Sequence, residues 1–423
     1  MKAKQGNLNT KKYISITLFI LVLLCELYLP SYKLNFVIQF LSLLGFVIWN
    51  KTTISLKFFK TIFPLLIVFI VGFIGYLINF YSLSATIKDV IYFLKPIIVL
   101  SFSYLLVKDL KDLFLFLRII VFTAGFTAFI HLFGIFILGD FTNNSIHELR
   151  GDFGLDNFIE ILAFYIILFS NKFLGKSIFK DKRWNYCMLI FFLGSIYLYF
   201  SRTMLVTFFL IGLSILGYTK ITKNTFKIIG LVLVFISLLY AYLFSVKIDR
   251  NAKGVEAFLY KIKIAPEEIF ETKIDRENHK ELWDHWRGYE AKRALELMNE
   301  NPTSYFFGTG HGSLVNLKFK APVGEKDMKY ISRIHNGYVF VLYKTGFVGL
   351  ILYFLFLINL YLKIYNKKSS EELYFVNRII VSISVFYVFT SLIITGIYIP
   401  IDAVIFILGG LLSFNTLLVD KKT

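Results

Sequence analysis

Cysteine is nearly missing from this 423-residue chain. Its two cysteines, Cys25 and Cys187, sit far apart inside apolar runs, which excludes a disulfide framework and a cysteine-based metal site. Acidic residues are scarce as well, 28 Asp and Glu against 46 Lys and Arg, and half of them fall between Lys247 and His335. No Asp-x-Asp and no His/Asp/Glu cluster at ligand spacing stands in the segments read below as extracytoplasmic, so neither a metal nor another cofactor is expected. Internal repeats and low-complexity tracts are absent too. What is present is apolar: 57% of the residues are hydrophobic, in runs of about 20 that recur from end to end, the length that crosses a hydrocarbon layer as a helix. The net charge of +18 lies in the short connections between those runs and is not a nucleic-acid signal.

The runs cover Tyr13 to Leu29, Leu34 to Trp49, Ile62 to Tyr81, Val90 to Val107, Leu113 to Leu138, Leu155 to Ser170, Trp184 to Phe200, Thr203 to Tyr218 and Ile228 to Val246. After a polar interval come Gly337 to Leu362, Ile379 to Ile399 and Ile401 to Val419. They predict an all-α integral membrane protein with about twelve transmembrane helices. The first run lacks a small-residue cleavage pattern and reads as a retained span. Alternate connections are basic, among them Lys51/Lys57/Lys60, Lys172/Lys176/Lys180 and Lys220/Lys223/Lys227, whereas the intervening short ones carry only Lys33, Lys88, Arg150 and Arg202. The positive-inside rule then puts both termini in the cytoplasm and the polar interval outside it. The expected organisation is helices one to nine over residues 1–246, one large, mainly helical extracytoplasmic loop over 247–335, and helices ten to twelve over 336–423.

Chemistry is expected where that loop meets the helix ends. Asn278 to Asn301 predicts a helix, capped by Asn278 with Glu281 and stopped at Asn301-Pro302. Trp283, Trp286, Ala294, Leu297 and Met298 share one stripe of it with Arg287 and Glu290. Either Arg287 and Glu290 satisfy each other at (i, i+3), or Arg287 points into a cleft to hold an anion. Arg202 forms, with Ser201, the whole connection between two runs, so it either snorkels to headgroups or serves the outer face. His335 stands where the loop enters a span, either as a structural residue or as a base. Phe307-Gly308-Thr309-Gly310-His311-Gly312 is either a cradle offering backbone N–H groups to a phosphate or a plain tight turn, and the tight turn is the default because the Gly-Lys-Ser/Thr ending of a nucleotide loop is missing. A shorter outer piece, Gly139 to Asp156, carries His147, Arg150 and Asp152.

Several of these segments together resemble a known family. Leu149-Arg150-Gly151-Asp152-Phe153-Gly154, Phe200-Ser201-Arg202-Thr203, Trp286-Arg287, Asn301-Pro302 leading to the glycine-rich turn, and His335-Asn336-Gly337-Tyr338 with Lys344-Thr345-Gly346 follow, in order and sidedness, the landmarks of the O-antigen ligase and polymerase superfamily. The resemblance covers roughly Arg150 to Leu362 and implies a GT-C-like, metal-independent glycosyltransferase in the bacterial cytoplasmic membrane. Such an enzyme takes a glycan from undecaprenyl diphosphate and passes it, with inversion, to a hydroxyl of a glycan or lipid acceptor. The implied roles are His335, Arg287 and Arg202 in catalysis, and Arg150, Gly308, Gly310, His311 and Asn336 in substrate binding. The charge logic agrees, because two guanidiniums can neutralise a leaving diphosphate in place of a metal. The preferred expectation is a polymerase of O-antigen or capsular repeat units, with a chain-length regulator as partner. A ligase attaching finished glycan to lipid A core is the first alternative. A lipid-linked-oligosaccharide flippase is the second, disfavoured because the two halves of the chain are unrelated.

Overall fold

The computed structural model describes residues 2–139, 154, 158–199, 201–249, 255–270, 279–322, 327–366 and 369–420. Every apolar run within them is helical. Before the loop stand α1 (Lys2–Tyr28), α2 (Tyr32–Asn50), α3 (Leu56–Asn79), α4 (Leu83–Lys108), α5 (Leu113–Phe133), α6 (Ile159–Leu174), α7 (Lys182–Leu198), α8 (Arg202–Leu216) and α9 (Lys223–Ser245). Short polar side chains set the starts: Ser31, Ser55, Ser82, Asp112, Ser201 and Thr222 each accept a hydrogen bond from a backbone N–H of the first turn. Seven helices among the described residues are long and apolar enough to cross a membrane, and α8 and the last helix are shorter apolar ones. The protein is thus a mainly helical, multi-pass membrane protein. Its central helix is α4, buried over nearly its whole length, whereas α9 is almost entirely exposed at the periphery.

The loop contains α10 (Val255–Lys263), α11 (Ala265–Phe270), α12 (His279–Asp284), α13 (Trp286–Glu300) and α14 (Ser304–Phe307). The single helix expected from Asn278 to Asn301 is broken at His285, whose φ −105° and ψ 10° restart the chain so that Arg287 falls in the first turn of α13. Asn278 itself lies outside the described residues. The loop also holds a hairpin that hydropathy did not announce. Strand β1 (Val315–Ala321) pairs antiparallel with β2 (Met328–Ile331), Val315 opposite Ile331, with the register shifting between Asn316 and Ala321. α13 seats on this ribbon through the Tyr289 hydroxyl, which donates to the Leu317 carbonyl at 2.6 Å, and Arg293 Nε, which donates to the Asn316 carbonyl at 2.9 Å. The chain ends with α15 (Gly337–Tyr361), α16 (Glu371–Ile393) and α17 (Val404–Asp420). The run read as Ile379 to Ile399 stops early, because the chain turns at Gly396, where φ is +56° and an added Cβ would meet the Ser391 hydroxyl.

One junction ties loop to bundle. Helix α15 is interrupted at Gly346 (φ 66°, ψ −168°), which strips the Tyr343 and Lys344 carbonyls of intrahelical donors. The glycine-rich turn supplies replacements: Thr309 N–H donates to the Tyr343 carbonyl at 2.8 Å and Gly310 N–H to that of Lys344 at 3.1 Å. Such closeness requires glycine, since a Cβ on Gly310 would lie 2.1 Å from the Tyr76 nitrogen of α3. Beside it, the fully buried Lys344 and Asp89 pair at 2.5 Å, and Asp89 also accepts from Gly312 N–H at 2.7 Å and the Ser332 hydroxyl at 2.6 Å.

Candidate active site at the loop and membrane boundary

Arg202 and Arg287 come from elements 85 positions apart and converge on one carboxylate. Ser201 caps α8, which holds Arg202 at the first helical position. Its Nη2 lies 2.8 and 3.0 Å from the two oxygens of Glu268, and its Nη1 donates to the Lys261 carbonyl. From the first turn of α13, Arg287 Nη1 donates to Glu268 Oε2 at 2.9 Å. Glu268 is 6% exposed, while the two arginine side chains are 25% and 34% exposed, so the cations and not the carboxylate look outward. Burial lowers the Arg287 pKa and the neighbouring Glu268 charge opposes the shift, which leaves the guanidinium charged at any physiological pH. All three residues line a cavity of about 490 Å³ whose remaining walls include Leu27, Phe158, Phe386, Phe389 and Ile393, with Asp402 also lining it.

Glu290 does not pair with Arg287 in this structure. It turns to His335, accepting from both the backbone N–H and the Nδ1 of that residue at 2.9 Å. An ionised carboxylate can only accept, so Nδ1 carries a proton, and in the neutral ring Nε2 keeps its lone pair. Glu290 is 1% exposed and the His335 side chain 42%, an arrangement that holds the ring at one edge and leaves the other accessible. Arg287 and Glu290 are three residues apart on α13, about 4.5 Å along the helix axis, so one helix carries both an arginine of the site and the carboxylate that holds His335.

The glycine-rich turn spends its amides on packing. Gly308, Gly310 and His311 were expected to bind substrate, but their N–H groups donate to the carbonyls of Ser304, Lys344 and Gly72. No amide of that cradle is left for a phosphate. His311 is fully buried among Phe69, Phe73 and Phe93, and its Nε2 lies 2.9 Å from the Phe69 carbonyl. Asn336 is a helix cap, its side chain accepting from Val339 N–H at 3.1 Å. Arg150, with the rest of residues 140–153, lies outside the described residues.

Burial lowers the His311 pKa to about 4. The unfolded imidazole takes its proton first, near its ordinary 6.5, so the stability this neutral ring contributes is complete above pH 6.5 and is lost as pH falls toward 4, on the order of 3 kcal/mol. Thermal unfolding of the purified protein should show a wild-type Tm that drops more steeply across that window than the Tm of His311→Gln. Equal slopes would mean that the ring is solvated.

Sequence reasoning missed Glu268, Arg333 and the Asp89–Lys344 pair. Only the rarity of charge inside apolar runs hinted at the last of these. Arg333 stands at the same boundary, its guanidinium 5.6 Å from the Tyr92 ring centre.

Residues 187–354 match the family model described as O-antigen ligase. This stretch is of the O-antigen ligase and polymerase superfamily. A search of curated proteins finds no match. The matched segment contains Arg202, Glu268, Arg287, Glu290 and His335 together, whereas Asp89 and the cavity walls supplied by Leu27, Phe158 and α16 fall outside it.

Proposed function

We propose that the protein transfers a glycan from undecaprenyl diphosphate to a hydroxyl of a second lipid-linked glycan, polymerising O-antigen or capsular repeat units at the outer face of the cytoplasmic membrane. All the apolar helices cross the membrane in this account, with both termini inside, the loop outside and a chain-length regulator as protein partner. The observation that carries it is the convergence of Arg202 and Arg287 on one carboxylate at an apolar-walled cavity. A diphosphate presents more anionic oxygens than a carboxylate to the same two guanidiniums and competes with Glu268 for them. The apolar walls suit the first isoprene units of the carrier.

The acceptor oxygen attacks the anomeric carbon from the face opposite the diphosphate as the bond to the diphosphate oxygen breaks, inverting the centre. The electron pair leaves on that oxygen, where the two arginines stabilise the added charge. The hydroxyl proton passes to His335 Nε2, and Glu290 stabilises the resulting imidazolium. The family description names a ligase, which favours as a second reading the transfer of finished glycan to a lipid A core acceptor.

The test is glycan transfer by purified, reconstituted protein given a defined undecaprenyl-diphosphate-linked repeat unit in excess EDTA. A ladder of longer lipid-linked glycans is expected. Products only on added lipid A core would make the protein a ligase, and activity restored by one divalent ion would mean that a metal, not arginine, neutralises the diphosphate.

A further inference from the structure

A second cavity, about 1070 Å³, lies at the opposite end of the bundle. Helix α17 connects the two: Val404 lines the first and Leu418 the second, some 21 Å apart at the helical rise. The second cavity therefore sits at the other membrane boundary, the end that the basic connections assign to the cytoplasm.

Its lining combines two chemistries. Phe114, Phe414 and Leu417 form an apolar wall, and Lys111, Arg118, Lys176 and Lys180 bring four cations. Three acids share the lining, but two are answered from elsewhere. Asp112 faces Lys12 at 3.7 Å and caps α5 through Leu115 N–H, and Asp420 accepts from Lys57 at 2.6 Å. Glu372 sits in the first turn of α16, where the helix dipole favours a negative charge. Arg118 is the most telling residue. It lies in the second turn of an otherwise apolar helix start, Leu113-Phe114-Leu115-Phe116-Leu117, and only its Nε is committed, donating to the Ile178 carbonyl at 3.1 Å. Among the described residues its terminal nitrogens meet no acceptor. A guanidinium set into a membrane helix and aimed at a cationic cavity calls for an anion, because holding such a charge unanswered there is costly.

We propose that this cavity binds the headgroup of an anionic phospholipid of the cytoplasmic leaflet, with the phosphodiester between Arg118 and the Lys176 and Lys180 ammoniums and the first acyl methylenes against Phe114, Phe414 and Leu417. Basic pockets between membrane helices on this side commonly take such headgroups. A free phosphate would satisfy the cations and leave the part-exposed Leu417 and the face of Phe114 not covered by Lys176 without an apolar partner. The site is independent of the transfer chemistry at the opposite boundary.

The experiment reconstitutes the full chain in vesicles of equal phosphatidylglycerol and phosphatidylcholine, re-extracts it, and counts retained lipid by native mass spectrometry. Wild type should retain phosphatidylglycerol in preference to phosphatidylcholine. Arg118→Gln should lower that preference roughly five-fold and Lys176→Gln/Lys180→Gln roughly thirty-fold, with Arg118→Lys recovering part of the loss. The lysine pair is solvent-exposed, so that variant remains decisive if Arg118→Gln aggregates on gel filtration. No preference in wild type, or undiminished preference in the lysine variant, overturns the proposal. Millimolar inorganic phosphate that displaces the lipid and raises the Tm equally would also overturn it, making the ligand a soluble anion.

Discussion

His335→Gln is expected to lower turnover by about 10²- to 10⁴-fold while leaving binding of the lipid-linked donor near wild type. Glutamine keeps a hydrogen-bonding side chain beside Glu290 but has no lone pair basic enough to take the acceptor proton. Glu290→Gln should fall in the same direction with a smaller loss, since an amide can either accept from Nδ1 or donate to it and no longer enforces the tautomer that leaves Nε2 bare. Turnover at saturating donor and acceptor, set beside donor binding on protein that inserts at normal levels, separates the base from the donor site. Wild-type turnover in His335→Gln would remove this residue from the chemistry and leave the proton to another group at the boundary.

The arginine pair and its carboxylate should respond with opposite signs. Alanine at Arg202 or Arg287 removes a contact to the leaving diphosphate and should cost about 10²- to 10³-fold in rate. Lysine at either position keeps the charge without the planar fork and should fall between alanine and wild type. Glu268→Gln removes the anion that competes with the diphosphate, so the donor should bind more tightly even as the protein loses stability from two guanidiniums left without a charged partner. Inorganic pyrophosphate, titrated against the wild type and these five variants, reads the effect without transfer chemistry. Weaker pyrophosphate binding by Glu268→Gln would make Glu268 a strut that holds the arginines in place, and no binding by any form would dismiss the diphosphate site.

Arg202 and His335 were visible in the sequence because each is a polar residue stranded at the end of an apolar run, and Arg287 because it interrupts the apolar stripe of a loop helix. Their partners were not. Glu268 is one of many acids in a polar loop, and nothing within its own neighbourhood says that it will face residue 202 and residue 287. Arg287 and Glu290 share a helix face, so pattern reasoning offered them to each other. Only tertiary packing sends one to Glu268 and the other to His335. The phosphate-cradle alternative for the glycine-rich turn met a related limit. Its run of N–H donors is local, but the acceptors that consume them lie on Gly72 of α3 and Lys344 of α15, positions no local pattern connects.

Those same distant acceptors bear on how the loop can be handled as a piece of protein. Cut free of the membrane helices, residues 247–335 would expose the Gly310 and His311 amides, and Gly312 and Ser332 would lose the Asp89 carboxylate. The interrupted helix would keep two carbonyls with nothing to receive and Lys344 would be left with a disrupted surround for its charge. The insertion is therefore not portable. A chimera that borrows a relative's loop to change acceptor preference must import the facing positions on α3, α4 and α15 with it, or the graft will fail at its seat before its specificity can be read.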